Sequence, residues 1–173
     1  NPRNPGVCSV DPDNVVIEAI GGNNLCGDTV NVAAPQDVTV TLIKYIDGVH
    51  ASTTNAEGQS FPMQSSWSNA GFPDGSGTFS LGPVGFNNPN PYEATTSDMD
   101  PGANYSANEI TGGPVVGADC STGQPFALVG YSTGDTEAQA ATSTMSTTSP
   151  ALTNIQSNKY IIVWNKDCTP ELT

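Results

Sequence analysis

A chain of 173 residues with 17 acidic and 4 basic side chains carries a formal charge of −13, which repels polyanions and argues against nucleic acid as a partner. Eighteen glycines, 14 prolines and an apolar fraction of 36% favour many short strands joined by turns over long helices, so the chain reads as all-β. Only 12% of residues are charged, which leaves a surface of uncharged Thr, Ser, Asn and Gly as in many secreted proteins, and no apolar run approaches the roughly 18 residues needed to span a bilayer.

Residues 1–34 are rich in Pro, Asn and Gly and hold one strand candidate, NVVIEAI at 14–20, followed by the turn and cysteine cluster GGNNLCGD. They read as a disulfide-closed N-terminal arm or subdomain ahead of a main domain over 35–173. The opening NPRNPG has neither Met nor an apolar signal segment, as expected of a mature, processed chain. From DVTVTLIKYIDG onward, strand candidates recur with turn signals between them: QSFPMQSSW at 59–67, GTFSL at 77–81, NYSANEI at 104–110, FALVGY at 126–131 and KYIIVWN at 159–165. That spacing predicts a β-sandwich. Pro62 assigns its strand to a sheet edge. DTEAQAATSTM at 135–145 is the one stretch that reads as a short helix, and FNNPNPYEATTSDMDPGA reads as a long loop. ATSTMSTTSPALT at 141–153 reads as an exposed low-complexity loop or a carrier of O-linked sugar.

The four cysteines, Cys8, Cys26, Cys120 and Cys168, lack the CxxC spacing of zinc or redox sites. An even number in a secreted-looking chain points to two disulfides. Three connectivities are possible; sequence locality favours Cys8 with Cys26 and Cys120 with Cys168, each bridge stabilising by roughly 2–4 kcal/mol.

Lys44 is one of three lysines, and it stands inside a strand. Side chains alternate along VTVTLIKYI, so Val38, Val40, Leu42, Lys44 and Ile46 share the more apolar face. An ammonium buried there alone costs several kcal/mol of desolvation or gives up its proton. The same parity places Glu109 with Tyr105 and Ala107, and Asn165 with Ile161 and Val163. Three polar groups thus occupy inward positions on three strands. A neutral lysine amine in a dry core can attack the carboxamide carbon of an asparagine if a protonated carboxyl polarises the oxygen and carries protons to the departing ammonia. The product is a Lys-Asn isopeptide bond. The plainer alternative is a Lys44 whose head snorkels to water beside Glu109 as an ordinary ion pair, with Asn165 in a turn.

The order VTVTLIKYIDG, NYSANEIT, ADCSTG, YIIVWNKDC resembles the prealbumin-like, collagen-adhesin B-type domains of bacterial surface adhesins and pilins. The resemblance covers about residues 36–168. It implies a prealbumin-like sandwich in which Lys44 is the nucleophile, Asn165 the electrophile and Glu109 the proton shuttle. It also implies the pairing of Cys120 with Cys168. The chain departs from the family in reading NEIT after the middle-strand Glu, in longer loops, and in lacking a sortase-type signal near CTPELT or a pilin lysine motif.

Other constellations carry less. His50, the single histidine, follows a turn and reads as a surface loop residue without metal-ligand company. It leaves a Ser-His-Asp hydrolase without its elbow motif. DPDN at 11–14 and SDMD at 97–100 lack the full calcium-loop pattern, so no metal or cofactor is expected. Asn104-Tyr105-Ser106 matches a glycosylation sequon. Trp67, Trp164, Tyr92 and Phe86 form a possible sugar-stacking platform, with core packing as the competing reading. The expected function is structural: an extracellular or cell-surface subunit of a fibre, pilus-like filament or adhesive stalk, with copies of itself as partners and strand addition by residues 14–20 as the means of assembly. The alternative is a module that binds a glycan or matrix protein through its long loops.

Overall fold

The computed structural model describes residues 7–9, 25–27, 36–69, 74–83, 90–110, 120 and 123–169. The chain divides into two compact units, Asn1–Ala34 and Pro35–Thr173. In the first, β1 (Val7–Ser9) and β2 (Leu25–Gly27) pair antiparallel with Cys8 opposite Cys26. The expected strand at 14–20 and the side chains of a Cys8–Cys26 bridge lie outside the described residues.

In the second unit the described strands are β3 (Val38–Ile46), β4 (Val49–His50), β5 (Phe61–Ser68), β6 (Gly75–Leu81), β7 (Glu93–Met99), β8 (Ala103–Glu109), β9 (Phe126–Gly134), β10 (Ala151–Ile155) and β11 (Lys159–Asp167), with one helix, α1 (Glu137–Thr142). They build a β-sandwich. One sheet runs β10-β8-β5-β6; the other runs β4-β3-β11-β9, with β7 also paired to β3. The core between them is filled by alternate residues of both sheets, among them Val40, Leu42, Met63, Tyr105, Ile161 and Val163. Strand β3 follows the expected parity: Val38, Val40, Leu42, Lys44 and Ile46 are all buried. It ends in a two-residue turn, where Asp47 (φ 48°) and Gly48 (φ 85°) both take the left-handed conformation that matches strand twist in tight hairpins.

The opposite face of β3 and β11 is covered by α1, which falls within the expected helical stretch. Thr136 caps it by accepting the N–H of Gln139 at 3.2 Å. Ala140 then packs on Ile43 and Ile162 in a second, smaller core.

Three expectations are corrected. Pro62 does not mark an edge, because β5 lies between β8 and β6. Proline is tolerated there because its carbonyl still accepts the N–H of Ile110 at 2.7 Å, and the missing donor falls at the point where β8 ends. Two stretches read as loops contain strands, β7 and β10. Both carry an irregularity that hides their alternation: β7 buries Ala94 and Met99, an odd spacing, across a register shift against Val38 and Val40. In β10, likewise, the shift lies between Leu152 and Ile155, with Asn154 at φ 51°.

A third shift lies in β9, where Trp164 opposes Gly130 but Asn165 opposes Leu128. The extra residue, Val129, lets Leu128 and Tyr131 both face the core, which an unbroken alternation forbids. Gly130 is needed beside it. A Cβ there would meet the Ser146 carbonyl at 2.5 Å, where the chain returns to exchange hydrogen bonds with Tyr131 at 2.7 Å in both directions. Gly130→Ala is therefore expected to lose about 1–3 kcal/mol in a denaturant titration; unchanged stability would mean that the 143–149 segment is not held against β9.

Candidate functional site

The site begins with a parallel pair. Strands β3 and β11 run side by side in the register Lys44 to Val163 and Ile46 to Asn165. Lys44 and Asn165 therefore project from the same face, one pleat apart, on the first and last strands of the sandwich. Glu109 reaches them from β8 in the facing sheet. All three are buried, with Lys44 at 0%, Glu109 at 4% and Asn165 at 3% exposure.

The groups contact one another in a closed triangle. The Lys44 ammonium lies against Glu109 Oε2 in an ion pair whose two side chains are fully buried, and Nζ donates to Asn165 Oδ1 at 2.6 Å. Asn165 Nδ2 donates to Glu109 Oε1 at 3.1 Å. The carboxylate thus spends one oxygen on the amine and the other on the amide nitrogen. Phe61 closes one side, its ring centroid 4.1 Å from Lys44 Nζ. It is backed edge-on by Phe126 and flanked by Tyr92. Burial lowers the Lys44 pKa to about 8, against the opposing attraction and hydrogen bond of Glu109.

Tyr131 supports Glu109 from behind. Its phenol oxygen accepts the Glu109 backbone N–H at 2.9 Å, and burial pushes the phenol pKa up. Neither Phe61 nor Tyr131 was singled out in the sequence. Tyr131 is hidden by the β9 bulge; the Gly130-Tyr131 pair inside an apolar strand is the signal that points to it.

No protein-family model matches the sequence, and no curated protein matches it. The chain is similar to pilus adhesins and major pilins. A pilus-presented adhesin is 15% identical, with 78% of this chain and 28% of that chain covered at a TM-score of 0.44. The T3.2 major pilin of Streptococcus pyogenes is 13% identical, with 83% and 52% covered at 0.48. An adhesin of Mobiluncus mulieris that contains intramolecular disulfide, isopeptide and ester cross-links is 12% identical, with 77% and 42% covered at 0.38. The present chain spans about half or less of each.

Of the remaining site residues, Cys120 and Cys168 form a disulfide across a sequence separation of 48, and the Cys168 N–H bonds to the Pro125 carbonyl at 2.8 Å. The bridge secures the chain just beyond β11. By loop entropy it contributes about 4 kcal/mol. His50 is not a loop residue: it sits on β4, half-buried, 2.8 Å from Glu93 through Nε2 and 2.9 Å from the Ala51 carbonyl through Nδ1. The two-residue hairpin puts it there. The aromatic platform does not form, since Trp67 and Trp164 belong to different sheets and Tyr92 is fully buried; Phe86 lies outside the described residues. The sequon residue Asn104 is engaged within its sheet, donating to Ser68 Oγ at 3.2 Å and accepting the Asn154 N–H at 3.0 Å. SDMD runs through the end of β7, and DPDN lies outside the described residues. Among the described residues no group of His, Cys, Asp or Glu is arranged to hold a metal, and no helix is long and apolar enough to cross a membrane.

Proposed function

We propose that the chain is an extracellular or cell-surface structural subunit of a fibre, pilus-like filament or adhesive stalk, whose sandwich is locked by an amide bond between Lys44 and Asn165. The observation that carries this reading is the buried triangle of amine, carboxyl and carboxamide joining the first and last strands.

The reaction needs only these groups. A proton passes from the Lys44 ammonium to Glu109, leaving a neutral amine and a carboxylic acid. Nζ attacks Cγ of Asn165 while the acid donates toward the amide group. The tetrahedral carbon expels Nδ2, to which Glu109 relays a proton from Nζ. One Nζ–Cγ bond forms, one Cγ–Nδ2 bond breaks, and one ammonia leaves. Phe61 and its neighbours keep water from the amine, which favours the neutral nucleophile. No enzymatic turnover is part of this reading, because the chemistry is confined to the chain itself.

The link suits a load-bearing role. Pulling the start of β3 against the end of β11 shears two parallel neighbours along their ladder, and an amide bond two residues beyond Lys44's own register partner carries that load before the hydrogen bonds do. Disulfide bonding agrees with an oxidising, extracellular setting.

Since the reacting form, a neutral amine beside a carboxylic acid, holds the same single proton as the ion pair, the rate of ammonia loss from newly folded chain should be level with pH below about 8 and fall above it, where the pair loses that proton and with it the acid. A rate that rises through that range and stays high above it would contradict the scheme. A stability consequence follows in Asn165→Ala, which cannot react. Folding lowers the Lys44 pKa from 10.5 to about 8, so between those values the unfolded chain binds more protons and stability rises with pH.

The assembly role is tested on the full chain by electron microscopy and sedimentation. Filaments or concentration-dependent self-association without ligand support it, and a strict monomer with saturable glycan or matrix binding contradicts it. If residues 14–20 add as a strand to a neighbouring copy, removing residues 1–20 should abolish association.

A further inference from the structure

Strand β8 runs past the end of its outer neighbour: its last paired residue against β10 is Ser106, opposite Ala151. Toward β5, the Ile110 N–H bonds to the Pro62 carbonyl at 2.7 Å. The main-chain groups of the preceding residue, Glu109, therefore point away from β5, to a side where no described strand pairs with β8. The Glu109 N–H is buried, and left unmet it would cost about 1–3 kcal/mol. Tyr131 Oη meets it at 2.9 Å, reaching across from the opposite sheet.

Tyr131 is itself fixed. Its main chain is held on one side by β11, opposite Val163, and on the other by the paired hydrogen bonds with Ser146. Its phenol also shares a hydrogen bond with Ser149. The phenol thus ties the backbone of the proton-carrying residue to the strand beside Asn165. We infer that Tyr131 is a positioning residue for the crosslink, setting the height at which the Glu109 carboxyl reaches Lys44 Nζ and Asn165 Nδ2 at once. The inference rests on the proposed Lys44–Asn165 bond. Its physical basis is that a carboxyl divided between two partners loses one of them on a displacement of about 1 Å.

The test is Tyr131→Phe, which removes one oxygen and keeps the ring. Newly synthesised chain is pulse-labelled, the protease-resistant folded fraction is isolated, and ammonia loss is followed by intact mass at several pH values. The first-order rate in folded molecules is expected to fall at least about tenfold. Its pH midpoint should move down, because Glu109, the charged group that raises the Lys44 pKa, is held less closely. A purely structural role would reduce the folded fraction but leave both rate and midpoint unchanged, and that result would overturn the inference. Hydrogen exchange in the unsubstituted protein gives a second readout: the Glu109 amide should exchange as slowly as the sheet interior, and exchange as fast as an open loop would also overturn it. Should the unsubstituted chain itself lose no ammonia, both the crosslink and this role fall; normal loss with an unaffected Phe variant removes only the role of Tyr131.

Discussion

Asn165→Ala is expected to lower the thermal midpoint by roughly 10–20 °C while leaving the sheets intact. The substitution removes the electrophile but keeps Lys44 and Glu109 paired in the core, so no buried charge is orphaned. What is lost, on the proposed crosslink, is a closed loop: Lys44 and Asn165 are separated by 121 positions, and the Cys120–Cys168 bridge shortens that path without removing it. Closing a loop of this size restricts the unfolded chain by about 4–5 kcal/mol, and each kcal/mol shifts the midpoint of a domain this large by roughly 2–4 °C. Scanning calorimetry of both proteins under oxidising conditions measures it. A difference of only a degree or two would mean that no covalent link spans β3 and β11.

The second large effect separates the chemistry of the site from its electrostatics. Glu109→Leu removes the proton carrier of the proposed scheme, so the bond is not expected to form, and it leaves the fully buried Lys44 without its counter-charge. Breaking one side of a buried pair costs about 3–5 kcal/mol, in addition to the missing link. The sum of about 7–10 kcal/mol approaches the whole stability of an ordinary domain, and a poorly folded product is expected. Adding Lys44→Met replaces the orphaned amine with an apolar side chain of similar length against Phe61. The double variant should recover the 3–5 kcal/mol in urea titrations while still lacking the link. Equal stability of single and double variants would show that the amine finds water, which the site's burial forbids.

Much of this site was legible in the sequence because three strands obey strict alternation. In VTVTLIKYI, NYSANEI and KYIIVWN the polar residues Lys44, Glu109 and Asn165 fall in phase with apolar ones, and period two then dictates their burial. The resemblance to adhesin and pilin domains followed the same three positions. What escaped was governed by β-bulges. One extra residue reverses the parity of everything beyond it, so nothing in FALVGY singled out Tyr131, and the strands around Ala94 to Met99 and Leu152 to Ile155 looked like loops. Pro62 misled for a different reason: a missing N–H costs little at the point where the neighbouring strand stops. His50 was misplaced because a two-residue turn leaves too short a return strand for any periodic signal. Phe61 gave no sign of its role, since a buried aromatic residue looks alike whether it packs on leucine or on an amine.

Intact mass of the folded, disulfide-reduced full chain is the most direct measurement. The expected result is a mass one ammonia below that of the sequence, restored to the full value in Lys44→Ala and in Asn165→Ala, with peptide mapping joining the segments that contain Lys44 and Asn165. A full-mass folded protein, with no joined peptide after prolonged incubation at neutral pH, where Lys44 and Glu109 still share their proton, would contradict it.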